Sequence, residues 1–205
     1  YTATEIDELD DWVVIENLML RHRLVESHPK PSTDVRLFLT DIDGTLTDGG
    51  MYYSEHGDEL KKFNTHDGMG FALLRERGIT TGIITSENVD LNRRRAEKLK
   101  LDILEAGCKD KLATVKRICE DRGIKIQNVC YIGDDLNDIE VIRAVGYGCC
   151  PADAMPEVKS VADVIRGIQD DTCGAFQTFC GYFLEEEAFD AMELTDLSKR
   201  HESCL

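Results

Sequence analysis

Residues 35 to 50 read Val-Arg-Leu-Phe-Leu-Thr-Asp-Ile-Asp-Gly-Thr-Leu-Thr-Asp-Gly-Gly, an apolar run that delivers two aspartates, Asp41 and Asp43, into a glycine-rich turn. Val35, Leu37 and Leu39 alternate with Arg36 and Phe38, and Gly44, Gly49 and Gly50 interrupt the run. This predicts a short buried sheet strand rather than a helix. Open α/β sheets take their ligands just beyond the carboxyl ends of such strands. With one residue between them, both carboxylates reach a single reacting centre. One can attack phosphorus while its neighbour protonates the leaving oxygen and later activates water. A bare D-x-D-G also fits a polar strand exit, so the remaining residues decide between the two.

The 205 residues suffice for one domain with a buried core plus an appendage. Hydrophobic residues make up 42% and charged ones 31%, a globular composition with no low-complexity segment. No apolar run approaches a membrane span, and the start Tyr-Thr-Ala-Thr-Glu has no signal-peptide character. The net charge of −16 argues against nucleic acid or an anionic membrane as partner. An anionic substrate must then be met locally, by a divalent cation and a few convergent lysines or arginines. The eight cysteines form no C-x-x-C or C-x-x-H spacing and read as reduced thiols of a cytoplasmic protein. The adjacent Cys149 and Cys150 fit strand packing better than redox chemistry, because neighbours on a strand point to opposite faces.

Residues 5 to 24 carry Leu9, Trp12, Val13 and Leu20 among acids and predict an amphipathic helix, followed by a linker at His28-Pro-Lys-Pro-Ser32. Two alternating segments around Glu55-His-Gly-Asp58 predict a hairpin, a flap beside the aspartates. A helix is expected from Gly68 to Arg77, a strand from Thr80 to Thr85, and a helix from Asn88 to Lys100 with a basic face at Arg93-Arg-Arg95. Thr85 ends its strand with a hydroxyl that can donate to a phosphoryl oxygen or cap a helix. Leu101 to Ala106 reads as a strand, and a helix begins at Lys111, with Lys109 a competing cation. Asn128 to Asp138 is the second strong signal: an apolar strand, Gly133, then Asp134, Asp135 and Asp138 opening a helix. Clustered carboxylates repel unless a cation sits among them, and an oxygen donor set suits Mg²⁺, although acids also cap helices. Strands at Gly146–Cys150 and Asp163–Arg166, a helix from about Gly174 to Glu187 and an acidic tail complete the chain.

Asp41-Ile-Asp43-Gly-Thr-Leu-Thr47, Thr85, Lys111 and Gly133-Asp-Asp135 with Asp138 resemble, in order, the four motifs of the haloacid-dehalogenase-like superfamily. In that superfamily dehalogenases lack the second aspartate, so Asp43 points to phosphoryl chemistry. The resemblance spans roughly residues 34 to 184 and is closest to the capless sugar-acid phosphatases, whose Asp-Gly-Gly-Met-Tyr and Lys-Lys-Phe-Asn segments this chain shares. It implies a doubly wound, mainly parallel α/β sheet with a hairpin flap and no large cap. It implies domains at 1–33 (helical segment and linker), 34–184 (phosphatase) and 185–205 (acidic tail). By the same resemblance Asp41 is the nucleophile, Asp43 the acid and base, and Thr85 and Lys111 hold the phosphoryl group. Asp134 binds Mg²⁺ with Asp41 and the Asp43 carbonyl, while Asp135 and Asp138 stand behind these ligands. A homotetramer is implied as well, a neighbour's segments closing each site.

The octulosonate 8-phosphate branch has Thr-Gly-Arg after its second strand, where this chain has Thr85-Ser86-Glu87. Glu87 with Lys98 resembles the nonulosonate 9-phosphate branch, although Lys98 also reads as a solvated helix cation and Glu87 as first-turn dipole compensation. His66 replaces an arginine of the octulosonate pattern, and both arginines of a common C-terminal motif are missing from Asp171–Thr178. The expected substrate is therefore a nine-carbon 2-keto-3-deoxy sugar-acid 9-phosphate, read by His66, Ser86, Glu87 and Lys98. The alternatives are the eight-carbon 8-phosphate and a catalytically weak tetramerisation domain. The last of these follows from residues 5 to 16, Glu5-Ile-Asp7 with Asp11-Trp12 and Glu16, which resemble the C-terminal end of sialic-acid-type cytidylyltransferases and predict a chain cut from a longer bifunctional protein.

Overall fold

The computed structural model describes residues 34–57 and 59–166. The expected N-terminal helix and linker, the cytidylyltransferase-like stretch, the helix near 174–187, the altered C-terminal motif and the acidic tail all lie outside the described residues. β1 (Leu37–Thr40) lies at the middle of a six-stranded sheet in which every pair is parallel. On one side stand β4 (Thr80–Thr85) and β5 (Ile103–Ala106), and on the other β6 (Val129–Ile132), β7 (Tyr147–Pro151) and β8 (Val164–Arg166). The chain thus runs outward from β1 to β5 and then returns to the opposite side of β1. That reversal makes a crevice at the carboxyl ends of β1 and β6. β2 (Tyr52–Tyr53) and β3 (Glu59–Leu60) form the expected antiparallel hairpin, its turn closed by Gly57 N donating to Ser54 O at 3.1 Å.

Helices cover both faces. Phe38 and Ile42 pack with Phe71 and Leu74 of α1 (Asp67–Glu76) and with Ala96 and Leu99 of α2 (Asp90–Leu99). Leu37 and Leu39 pack with Val115 and Ile118 of α3 (Lys111–Arg122) and with Val141 and Ile142 of α4 (Ile139–Ala144). All four β1 residues are buried, because this strand is sandwiched rather than half-solvated. Each large apolar side chain so buried contributes about 1.5–3 kcal/mol. Cys149 and Cys150 fall in opposite core layers, as strand packing requires. Several boundaries move by a residue or two from their expected places. α2 begins at Asp90 because Val89 is extended. Asp134 and Asp135 precede a single 3-10 turn at Leu136–Asp138 rather than opening α4 directly. Among the described residues no helix is long and apolar enough to cross a membrane.

Candidate active site

Parallel pairing sets Thr40 beside Ile132 and Ile83, so the chain leaves β1 at Asp41 directly between the ends of β6 and β4. Asp41 N donates to Ile132 O at 2.9 Å, carrying the sheet register one residue into the site. The Asp41-Ile-Asp43 turn then folds against the β6 loop, an approach only glycine permits. Gly44 adopts φ +81°, and a Cβ there would lie 1.9 Å from Asp134 Oδ2. A Cβ on Gly133 would lie 2.3 Å from Asp138 Cγ. Replacing either glycine therefore pushes a carboxylate out of place.

Lys111 reaches this point from the first residue of α3. The Asp110 side chain starts that helix by accepting from Ala113 N at 2.8 Å. The Lys111 ammonium is buried, 3.2 Å from Asp41 Oδ2 and 2.7 Å from Asp138 Oδ1, whereas the competing Lys109 is exposed. Tyr131, on β6, donates to Asp138 Oδ1 at 2.5 Å, and burial keeps its phenol firmly protonated as a donor. Asp138 Oδ2 accepts from Asp134 N and Asp135 N at 3.2 and 3.3 Å. Both Asp138 oxygens are thus engaged, leaving its carboxylate to hold the loop and the lysine. Asp135 is exposed and caps the 3-10 turn.

Oxygens of Asp41, Asp134 and Asp138 lie within 4.8 Å of one another. Asp41 Oδ1 is buried and accepts no hydrogen bond from the described residues. Burial raises the Asp41 carboxyl to about 8, against the pull of Lys111 and with Asp138 and Asp134 adding to the rise. Burial likewise raises Asp134 to about 7, with Asp138 reinforcing it and a hydrogen bond from Thr45 at 3.1 Å opposing it. Burial lowers the Lys111 ammonium, yet Asp41 and Asp138 together carry it above its usual value, so it stays charged. Three carboxylates against one lysine leave negative charge without a counterion. An orphaned carboxylate oxygen beside a second acid, all hard oxygen donors, fits Mg²⁺. Asp41 and Asp134 would hold it.

The second aspartate sits in different company. Asp43 Oδ1 accepts from Lys61 Nζ at 2.7 Å, and the same ammonium contacts Glu87. Burial raises the Asp43 carboxyl above its usual range, Lys61 opposes the rise and Glu87 adds to it, a shift in the direction that favours a proton donor. Thr85 ends β4 buried, with its Oγ1 accepting from Glu87 N at 3.2 Å, so it caps a turn rather than α2 and keeps its own hydrogen to donate. Ser86 Oγ accepts from Asn137 Nδ2 at 3.3 Å, joining the β4 and β6 loops. His66 is exposed at the start of α1.

Lys98 is not brought to this group. α2 starts where β4 ends and runs back toward the start of β5, so Lys98 lies about 12 Å along the helix from Asp90. It is exposed in the last turn. Nor is the basic run wholly solvated. Arg95 turns inward, 4.8 Å above the Phe63 ring, donating to Asn64 O at 2.7 Å and standing 3.8 Å from Asp67. Sequence reasoning missed Lys61, Thr45 and Tyr131 as parts of the site. Period two along Lys61-Lys62-Phe63 does put Lys61 with Phe63 and leaves Lys62 to solvent, but nothing local says which lysine faces inward.

Residues 79–176 match the family model described as haloacid dehalogenase-like hydrolase. The chain is 35% identical over 151 residues to the 3-deoxy-D-manno-octulosonate 8-phosphate phosphatase of Escherichia coli K12, covering 74% of this chain and 80% of that one. It is similar to the structure of the corresponding phosphatase from Moraxella catarrhalis in complex with magnesium ion, phosphate ion and KDO, with a TM-score of 0.73 and 32% identity over 80% of this chain and 94% of that one. The cobalt-bound deoxy-D-mannose-octulosonate 8-phosphate phosphatase from Haemophilus influenzae matches with a TM-score of 0.70 and 27% identity, covering 75% of this chain and 89% of that one.

Proposed function

This chain belongs to the haloacid dehalogenase-like hydrolases and is a phosphoric monoester hydrolase, and from that premise we propose that it removes phosphate from a 2-keto-3-deoxy sugar acid through an aspartyl-phosphate. The observation that carries the reading is the convergence of Asp41, Lys111 and Asp134 beside Asp43. Asp41 attacks phosphorus. Lys111 draws the anionic phosphoryl group in and, with the Thr85 hydroxyl, fixes its oxygens in line. Asp43 gives its proton to the departing sugar oxygen, then takes one from the water that cleaves the acyl phosphate. Mg²⁺, when bound, supplies charge neutralisation at the phosphoryl oxygens.

The relatives support the eight-carbon 8-phosphate. Glu87 favours the nine-carbon 9-phosphate: it sits at the site mouth on the loop where the octulosonate pattern carries arginine, and a carboxylate accepts from hydroxyls but repels a substrate carboxylate. Measuring kcat/KM for both substrates with Mg²⁺ tests the choice. About a tenfold or larger preference for the nine-carbon compound, reduced in Glu87→Ala, is expected, since one unmatched polar contact costs about 1–3 kcal/mol. The opposite preference returns Glu87 to a structural role, and hydrolysis of neither would favour a non-catalytic assembly domain.

The reading includes a homotetramer. Tyr52, Tyr53 and Leu60 on the hairpin and Met69 on α1 are large, apolar and exposed, a surface that fits a partner copy. Light scattering is expected to give the tetramer mass, and Tyr53→Glu with Leu60→Glu is expected to dissociate it and lower turnover. A fully active monomer would refute the assembly.

A further inference from the structure

Three separate loops meet on the ammonium of Lys61. It follows β3 of the hairpin, Asp43 follows β1, and Glu87 follows β4. The Lys61 side chain is fully buried, while the carboxylates it touches are 31% and 37% exposed. A lysine buried this completely forfeits hydration and is retained only where its charge is matched. Here two carboxylates match it. Its place in the molecule is therefore set by Asp43 and Glu87 together, and theirs by it.

Lys61 takes Oδ1 of Asp43. Pinning one oxygen fixes the plane in which the other, Oδ2, lies. We propose that Lys61 is a positioning residue for proton transfer: held against Glu87, it turns Asp43 so that Oδ2 faces the departing oxygen of the substrate. The inference rests on the phosphatase reading above. In the first half-reaction the bond from Asp41 to phosphorus forms as the bond from phosphorus to the sugar oxygen breaks. The proton on Asp43 Oδ2 moves to that oxygen, which leaves as a neutral hydroxyl. Lys61 keeps Oδ1 throughout and neither gives nor receives a proton. Because Glu87 shares the same ammonium, a sugar hydroxyl bound to Glu87 acts on the unit that aims Asp43.

The consequence separates a positioning role from a scaffold role. An alkyl leaving group such as a sugar alkoxide needs the proton, whereas p-nitrophenolate departs without it. kcat/KM covers binding and the steps up to phosphoryl transfer and leaves out the later hydrolysis of the acyl phosphate. An acid-step defect therefore shows in it as a loss that depends on the leaving group and is accompanied by a fall in kcat rather than a rise in KM alone. In Lys61→Met, kcat/KM for the sugar-acid phosphate is expected to fall about 100-fold, and that for p-nitrophenyl phosphate by about fivefold at most. Lys61→Arg, which keeps a cation between the carboxylates, is expected to recover part of the loss on the sugar substrate. Equal losses on both substrates, or no loss on either, overturn the proposal. Should Lys61→Met not fold, Lys61→Gln, similar in length but neutral, reads the same ratio, and a uniform loss there overturns it equally. If the parent protein hydrolyses neither substrate, the phosphatase reading itself fails. If it hydrolyses both and the variants lose them equally, only the role of Lys61 fails.

Discussion

Replacing Asp41 with asparagine is expected to lower kcat by about 10⁴-fold or more, the scale on which removing an attacking group acts. The amide conserves volume but is too poor a nucleophile to form the acyl phosphate. The fold should survive. Burial with Asp138 and Asp134 nearby holds the Asp41 carboxyl at about 8, so in the metal-free protein near neutrality it is already uncharged and a neutral isostere of the same volume changes little there. In metal-free buffer the variant is expected to melt no lower than the parent. Steady-state phosphate release beside a thermal melt reads both halves. Turnover within about tenfold of the parent, a barrier change of only about 1.4 kcal/mol, would exclude covalent attack by this residue.

Removing the cation is the second large effect. EDTA is expected to abolish turnover and Mg²⁺ to restore it, while Ca²⁺, larger and looser in coordination, should not. Asp134→Ala is expected to need far more Mg²⁺ than the parent. The raised carboxyls make this visible without any assay of activity. Asp41 at about 8 and Asp134 at about 7 both stand above the ordinary value of 3.8. Between about pH 4 and pH 8 the metal-free folded protein therefore holds protons that the unfolded chain has released, and its stability falls as pH rises through that window. Mg²⁺ takes the place of those protons, so its stabilising effect should grow from about pH 5 to pH 8. Melting curves in EDTA and in Mg²⁺ at those two pH values test the sign. A metal-free protein equally stable at both, or a Mg²⁺ increment that shrinks with pH, would contradict the electrostatic account of the site.

Much of the molecule was legible residue by residue. Thr80–Thr85 forms the strand its β-branched run predicted, and Gly78 and Gly123 stop helices with positive φ where a side chain would be strained. The motif carriers Asp41, Thr85, Lys111 and Asp134 all come to the same end of the sheet. In a parallel α/β unit each strand must end on that side, so a polar residue following an apolar run is placed by local pattern alone.

What the hydrophobic pattern determined, then, is the alternation of strands and helices, the hairpin and which strand ends carry acids, because those follow from period, glycine and chain direction, while the doubly wound sheet was what the resemblance of the four motifs implied. Only the tertiary structure decided which charges meet. Lys61 finds Asp43 and Glu87 across 18 and 26 residues. Tyr131 and Lys111 converge on Asp138 while Lys109 stays in solvent. Arg95 turns onto Phe63, and Lys98 lies in the last turn of its helix, about 12 Å along it from the end at the sheet's active edge. A charged side chain reads the same in sequence whether solvated or buried. Its partner is fixed by the desolvation cost of leaving it unpaired once the sheet has closed.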